Sequence, residues 1–135
     1  MQQVFFPIAP VTICPGTTQY NYADIDLSAW IPVGATGAIL YVRNTNAGVR
    51  QWSVRTNGST DNLAADASGS CHACGIIGVD AARKIEFYNV GVAPRWEMLL
   101  MGYTMAGAEF FTNGVLISGG LGAGVWTPID LSALV

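Results

Sequence analysis

The sequence is poor in charged residues. Only 11% of its 135 residues are Asp, Glu, Lys or Arg, whereas about 25% is usual in soluble domains. A protein of this size exposes much of its surface and needs charge to stay in solution. The deficit predicts that part of the surface is covered in a homo-oligomer or a larger assembly. A neutral surface rich in Ser, Thr, Asn and Gly is the alternative interpretation.

Basic patches, long apolar runs and a basic leader are also lacking. The net charge of −3 argues against nucleic acid as a partner, because phosphate binding needs a basic face. No stretch approaches the run of about 20 apolar residues that a membrane helix requires, so no membrane partner is expected. The opening MQQVFFPIAPVTICPG does not resemble a signal peptide. Three cysteines, an odd number, argue against a disulfide framework.

Helix signals are nearly absent, and the pattern that remains indicates β-structure. Sixteen glycines and six prolines separate short segments rich in Val, Ile, Thr, Tyr, Phe and Trp. This predicts an all-β protein, an antiparallel β-sandwich or jelly-roll-like domain with about ten short strands and little or no helix. The predicted strands cover residues 4–8, 11–14, 19–27, 38–43, 50–56, 71–79, 84–89, 96–104, 109–112, 115–118 and 125–131.

The alternation of side chains predicts which faces are buried. In the strand at 50–56, Trp52 and Val54 are expected to face inward and Ser53 and Arg55 to face outward. The segment 69–79 and the stretch MLLMG are apolar on both faces. We expect strands of this kind to lie centrally in a sheet or under a neighbouring subunit.

Five short stretches occur in a characteristic order: DIDLSAWIPVGATGAILYVRNT, SVRTNGSTDN, CHACGIIGVDAARKIEFY, MLLMGYTMAGAEFFTNGV and VWTPIDLSA. Together, over residues 22–133, they resemble a β-sandwich repeat of virion proteins from tailed phages and related viruses. The resemblance implies a structural or adsorption component of a virion, assembled in the host cytoplasm. Such a component decorates or cements a capsid or forms part of a tail or fibre, and both locations stay open. Its implied partners are copies of itself, as a trimer or hexamer, and other virion proteins.

The string IDLSA occurs twice, at residues 25–29 and 129–133. In tandem members of the resembled family, such a segment ends one copy and opens the next. We therefore expect residues 125–135 to repeat the opening strand, and the strand 125–131 to lie beside 19–27 or to pair with a neighbouring chain.

The expected organisation is an apolar arm or first strands at 1–18, followed by a single sandwich domain at 19–135. An ordinary first strand in its own sheet is the alternative to an arm that contacts a neighbour. The residues predicted to mediate assembly are Val4, Phe5, Phe6, Ile8, Trp126, Ile129 and Leu131.

No catalytic site is predicted, and the protein is not expected to be an enzyme or to carry a cofactor. In the cluster Cys71, His72 and Cys74, the two sulfurs of a regular strand point to opposite faces and cannot chelate one ion together. Packing cysteines are the preferred interpretation, and the role of this cluster stays open. Asp24 and Asp26, with Asp130, are the candidates for a Ca²⁺ site. The alternative for Asp26 and Asp130 is a hydrogen bond to a turn amide.

A carbohydrate-binding, lectin-like module that reads host glycans is the competing functional class. Such modules stack sugars on exposed aromatic rings. Tyr20, Tyr22 and Trp30 are the candidates for ligand stacking, because they lie near a strand edge or in a turn. Exposed Trp or Tyr side chains beside Asp or Asn would favour this class.

Overall fold

A computed structural model describes residues 3–14, 19–90, 96–114 and 132. These residues form eight strands, and none of them lies in a helix that could cross a membrane. The strands are β1 (Phe5–Thr12), β2 (Gln19–Asp26), β3 (Gly37–Asn44), β4 (Arg50–Thr56), β5 (Ala65–Ala67), β6 (His72–Gly78), β7 (Lys84–Asn89) and β8 (Trp96–Thr104).

The strands pair as one long hairpin that is folded over on itself. β1 pairs with β8, β2 with β7, β3 with β6, and β4 with β5, all antiparallel. Further pairing of β3 with β8 and of β4 with β7 gives two four-stranded sheets. We call them sheet A (β1-β8-β3-β6) and sheet B (β2-β7-β4-β5). This strand order is that of a jelly roll, so the predicted all-β sandwich fold is confirmed.

The core lies between the inner faces of the two sheets. Leu40 of β3 and Leu100 of β8 are opposite each other in sheet A, and both are buried. Ile85 and Phe87 of β7 are fully buried in sheet B. The ring of Phe87 meets Trp96 edge to face at a centroid distance of 6.2 Å. Alternate residues of these strands therefore fill the interior, and the intervening residues form the outer faces.

Most of the predicted strands are confirmed, and the exceptions have physical causes. Residues 4–8 and 11–14 form parts of one strand, β1, in place of two. The prediction of a strand at 109–112 is wrong, because Phe110 packs over Gly37 and Gly78, where a Cβ on either glycine would collide with its side chain. The short strand β5 lies between the predicted strands 50–56 and 71–79, where the sequence predicts no strand. The predicted strands 115–118 and 125–131 lie outside the described residues.

The structure also bears on two predictions about which strand faces are buried. Ser53, expected to face outward, is only 6% exposed, because β4 lies between β7 and β5 and the small serine is directly opposite Tyr88 of β7. Of the two strands that are apolar on both faces, β8 is central, between β1 and β3. Among the described strands, β6 lies at the edge of sheet A. A central position in the sheet therefore does not explain why its outer face is apolar.

The N-terminal segment forms an ordinary strand of its own sheet, which is the alternative to a free arm. Phe6 is half-buried and stacks on Tyr103 at a centroid distance of 5.2 Å. Phe5 remains 53% exposed. Assembly contacts by Val4, Phe5, Phe6 and Ile8 stay a prediction, and Trp126, Ile129 and Leu131 lie outside the described residues.

The close approach of β1 to β8 depends on Gly102. A Cβ at this position would lie 2.6 Å from the carbonyl oxygen of Phe6, whereas a Cβ at Gly75 would meet nothing within 4 Å. We expect Gly102→Ala to lower the free energy of unfolding by about 1–3 kcal/mol through overpacking. Gly75→Ala is the matched control and should be neutral or stabilising by about 0.5–1 kcal/mol. Urea unfolding midpoints measure both, and equal midpoints would contradict the argument.

Candidate functional site

Three of the stretches that carry the resemblance meet at one end of the sandwich. Asn57 donates to the Asp80 carboxylate at 2.6 Å. The Asn113 side-chain oxygen accepts from the Ser59 hydroxyl at 2.9 Å, and Asp61 accepts from the backbone N–H of Gly114. The chain's single histidine begins β6, at the opposite end of that strand from this cluster. The hydrogen bonds among these polar residues connect the loops to one another, so the cluster has a structural role.

The cysteine and histidine cluster lies on sheet A. Cys74 is exposed and opposite Tyr41, and the His72 ring stacks on Tyr41 at a centroid distance of 5.5 Å. The three cysteines form no disulfide with one another. Within residues 3–14, 19–90 and 96–114, no three His, Cys, Asp or Glu side chains are placed to hold a metal ion. His72 and Cys74 are thus part of an outer surface of the sandwich.

The two described calcium candidates are engaged in contacts within the protein. Asp24 pairs with the Lys84 ammonium at 2.9 Å. Asp26 accepts a hydrogen bond from the backbone N–H of Ser28 at 2.8 Å, the turn-bonding role that was the alternative to metal binding. Asp130 lies outside the described residues. The Ser28 backbone N–H, followed by the Ser28 hydroxyl, holds the pKa of Asp26 below its usual value.

The outer face of sheet A is largely apolar. Strand pairing places Ile39 and Tyr41 of β3, Cys74 and Ile76 of β6 and Leu99 of β8 on this side, and Met101 lies at the β-bulge next to them. We call these six residues the apolar face.

Exposure and charge distinguish the centre of the apolar face from its margin. Ile76 is 41% exposed and Met101 36%. Among the described residues on this side, charged side chains occur only at one end of the strands, where Arg43 and Glu97 approach to 3.9 Å. The apolar face is therefore continuous across three strands and bordered by a polar pair.

The outer face of sheet B has a different chemistry. A groove of about 280 Å³ is lined by Tyr20, Asn21, Tyr22, Arg55, Asn62 and Tyr88, and we call it the tyrosine groove. The Arg55 guanidinium lies 3.5 Å from the centroid of the Tyr22 ring. The rings of Tyr22 and Tyr88 are 5.6 Å apart and tilted by 34°. Tyr20 is 69% exposed at the groove.

Arg55 is held in place from two further sides. Its Nε donates to the Glu86 carboxylate and its Nη1 to the carbonyl oxygen of Asp61. Glu86 lies directly opposite Arg55 in the pairing of β4 with β7. The guanidinium is therefore fixed over the Tyr22 ring by an ion pair and by the loop that follows β4.

The structure brings together two of the three predicted stacking residues. Tyr20 and Tyr22 line the same groove, whereas Trp30, 40% exposed, lies in the turn after β2 and is not among the lining residues. Sequence reasoning missed Arg55, Asn62 and Tyr88. In KIEFYN, Tyr88 shares a face with Glu86 by strand alternation, and that signal could have indicated Tyr88.

No protein-family model matches the chain, and no match is found among curated proteins. Function must therefore be inferred from the two outer faces of the sandwich.

The hydrogen bond at Asp26 predicts a pH-dependent effect on stability. A carboxylate with a lowered folded-state pKa stabilises the fold above its unfolded-state pKa, and this contribution disappears as pH falls through the folded-state value. Asp26→Asn should therefore melt at a lower temperature than the wild type at pH 7, and the gap should close below about pH 4. Thermal melts across pH measure the gap. Asp66→Asn, on the exposed strand β5, controls for loss of one negative charge, and a gap that persists at low pH would contradict the assignment.

Proposed function

We propose that the chain is a structural component of a virion of the tailed-phage type, assembled in the host cytoplasm, which works by associating with copies of itself and with other virion proteins. The observation that carries the proposal is the apolar face, which is continuous over three strands of sheet A. The resemblance to virion sandwich repeats supports it. The jelly-roll strand order also supports it by analogy, since viral capsid domains are among the proteins with this fold.

Exposure of the apolar face in a lone chain is unfavourable. Large contiguous apolar patches on soluble proteins usually mark interaction sites. Burial of apolar surface contributes about 25 cal/mol per Å², and the central residues of the face carry no charge that would have to be desolvated. Arg43 and Glu97 at the margin correspond to the polar rim of a protein interface.

The occupant we propose for the apolar face is a second copy of this chain. The low content of charged residues, 11%, and the net charge of −3 mean that two copies repel each other only weakly. Arg43 and Glu97 carry opposite charges on neighbouring strands, so a symmetry-related copy can place its Glu97 beside Arg43. The face is therefore complementary to itself in both its apolar centre and its charged margin.

The native mass across a dilution series tests the assembly. The sequence predicts a trimer or hexamer, and a self-complementary face forms two-fold pairs. Light scattering after gel filtration should therefore give an even-numbered oligomer that resists dilution, a dimer or a hexamer built from such pairs. Ile76→Asp places a charge in the apolar face and should raise the dissociation constant at least about tenfold, as loss of a strong interface residue does. Val33→Asp changes a residue that is 80% exposed in a turn and should leave the mass unchanged. A monomeric wild type at every concentration would contradict the proposal.

The thiol of Cys74 reports which face is buried. Cys74 belongs to the apolar face, whereas Cys71 precedes β6, and both are exposed in the single chain. In the oligomer, a maleimide should label Cys74 much more slowly than Cys71, and in Ile76→Asp the two rates should converge. Equal rates in a wild-type oligomer would place the interface elsewhere.

A further inference from the structure

The tyrosine groove on sheet B has no part in the proposed assembly through sheet A. We propose that it is a binding site for a neutral saccharide. Three features of the described residues support this ligand class: a rigid aromatic floor, a cation that is already neutralised, and amide side chains at the rim.

The floor of the groove is fixed before any ligand arrives. The Tyr22 ring has the Arg55 guanidinium 3.5 Å from its centroid and the Tyr88 ring 5.6 Å away. Ligand sites are usually preformed concavities that combine aromatic surface with a few polar groups, and a rigid site loses less conformational entropy on binding. Tyr20, 69% exposed, offers an aromatic ring to the apolar C–H side of a sugar.

The charges around the groove disfavour an anionic ligand. Arg55 is paired with Glu86, and their side chains are only 19% and 14% exposed. A second guanidinium N–H is directed at the carbonyl of Asp61. Other guanidinium N–H groups remain, but the Glu86 carboxylate compensates the positive charge, so a phosphate, sulfate or carboxylate gains less here than beside an unpaired arginine. A cationic ligand is disfavoured too, because the guanidinium already occupies the position over the Tyr22 ring that a cation would take.

The polar groups at the rim suit a ligand with many hydroxyls. Asn21 and Asn62 are exposed beside the groove. An amide side chain both donates and accepts hydrogen bonds, and a sugar hydroxyl does the same. A neutral ligand with hydroxyls along its edge and an apolar C–H side matches these groups, and that combination describes a saccharide.

The position of the groove makes the two proposals compatible and independent. Sheet A carries the apolar face and sheet B the groove, on opposite sides of the sandwich. Assembly through sheet A leaves the groove exposed on every copy. Several sites on one particle can raise the overall avidity for a glycan-bearing surface by about 10²–10⁴.

The test is binding of the full chain to an array of neutral hexose and N-acetylhexosamine oligosaccharides, with sialylated and sulfated counterparts beside them. We expect binding to a neutral member. Titration of that saccharide followed by NMR should show that Tyr20→Ala weakens binding at least tenfold and that Asn62→Ala weakens it severalfold. Trp30→Ala, which removes an exposed aromatic ring outside the groove, is the matched control and should leave the affinity unchanged.

Tyr20 and Trp30 are both exposed, so truncation of either side chain should leave the fold intact, and circular dichroism checks this. No binding to any neutral oligosaccharide at millimolar concentration would overturn the inference. Preference for the sialylated or sulfated forms, or an unchanged affinity in Tyr20→Ala, would overturn it as well. The native mass of the wild type and of Tyr20→Ala, measured on the same samples, keeps a failure of saccharide binding distinct from a failure of assembly.

Discussion

The pairing of each strand with a partner from the other half of the chain is the constraint on which the structure depends. β8 shows it most clearly, because it pairs with both β1 and β3 and holds sheet A together. When the strands of the folded hairpin are paired, the inner side chains of both sheets are buried in the core. The outer side chains do not pack in the core, so they are available for contacts with other molecules.

The two outer faces use that freedom differently. Sheet A presents aliphatic and aromatic side chains with charges only at one end, which suits association with a similar surface. Sheet B presents tyrosines, asparagines and a compensated ion pair, which suits a small polar ligand. Because alternate residues of one strand belong to core and surface, either outer face can change without disturbing the interior. The proposed functions are therefore separable by mutation in a way that functions of a shared cleft are not.

Local sequence patterns predicted much of the fold but little of the candidate site. The alternation in Arg50–Thr56 and Lys84–Asn89 defined those strands at the bounds that the structure has, because side-chain period is a property of the strand alone. The tyrosine groove combines β2, β4, β7 and the loop that contains Asn62, and only long-range pairing brings them together. The burial of Ser53 and the irregular course of 109–112 likewise depend on neighbours distant in sequence. These neighbours are Tyr88 for Ser53 and the glycines under Phe110 for 109–112.

The location of β1 in the sheet has a consequence for synthesis of the chain on the ribosome. Phe5 pairs with Thr104, so the first strand is made about 100 residues before its partner, a wait of about 5–20 s at ordinary translation rates. During that interval an apolar strand of the sequence FFPIAPVT is without its native neighbour. Pro7 and Pro10 remove two N–H donors that a foreign strand would need, which opposes aggregation of the nascent chain. Among the described strands, β1 is at the edge of sheet A, and an edge is where a sheet tolerates proline. The same two residues are therefore compatible with the finished fold and protective before it forms.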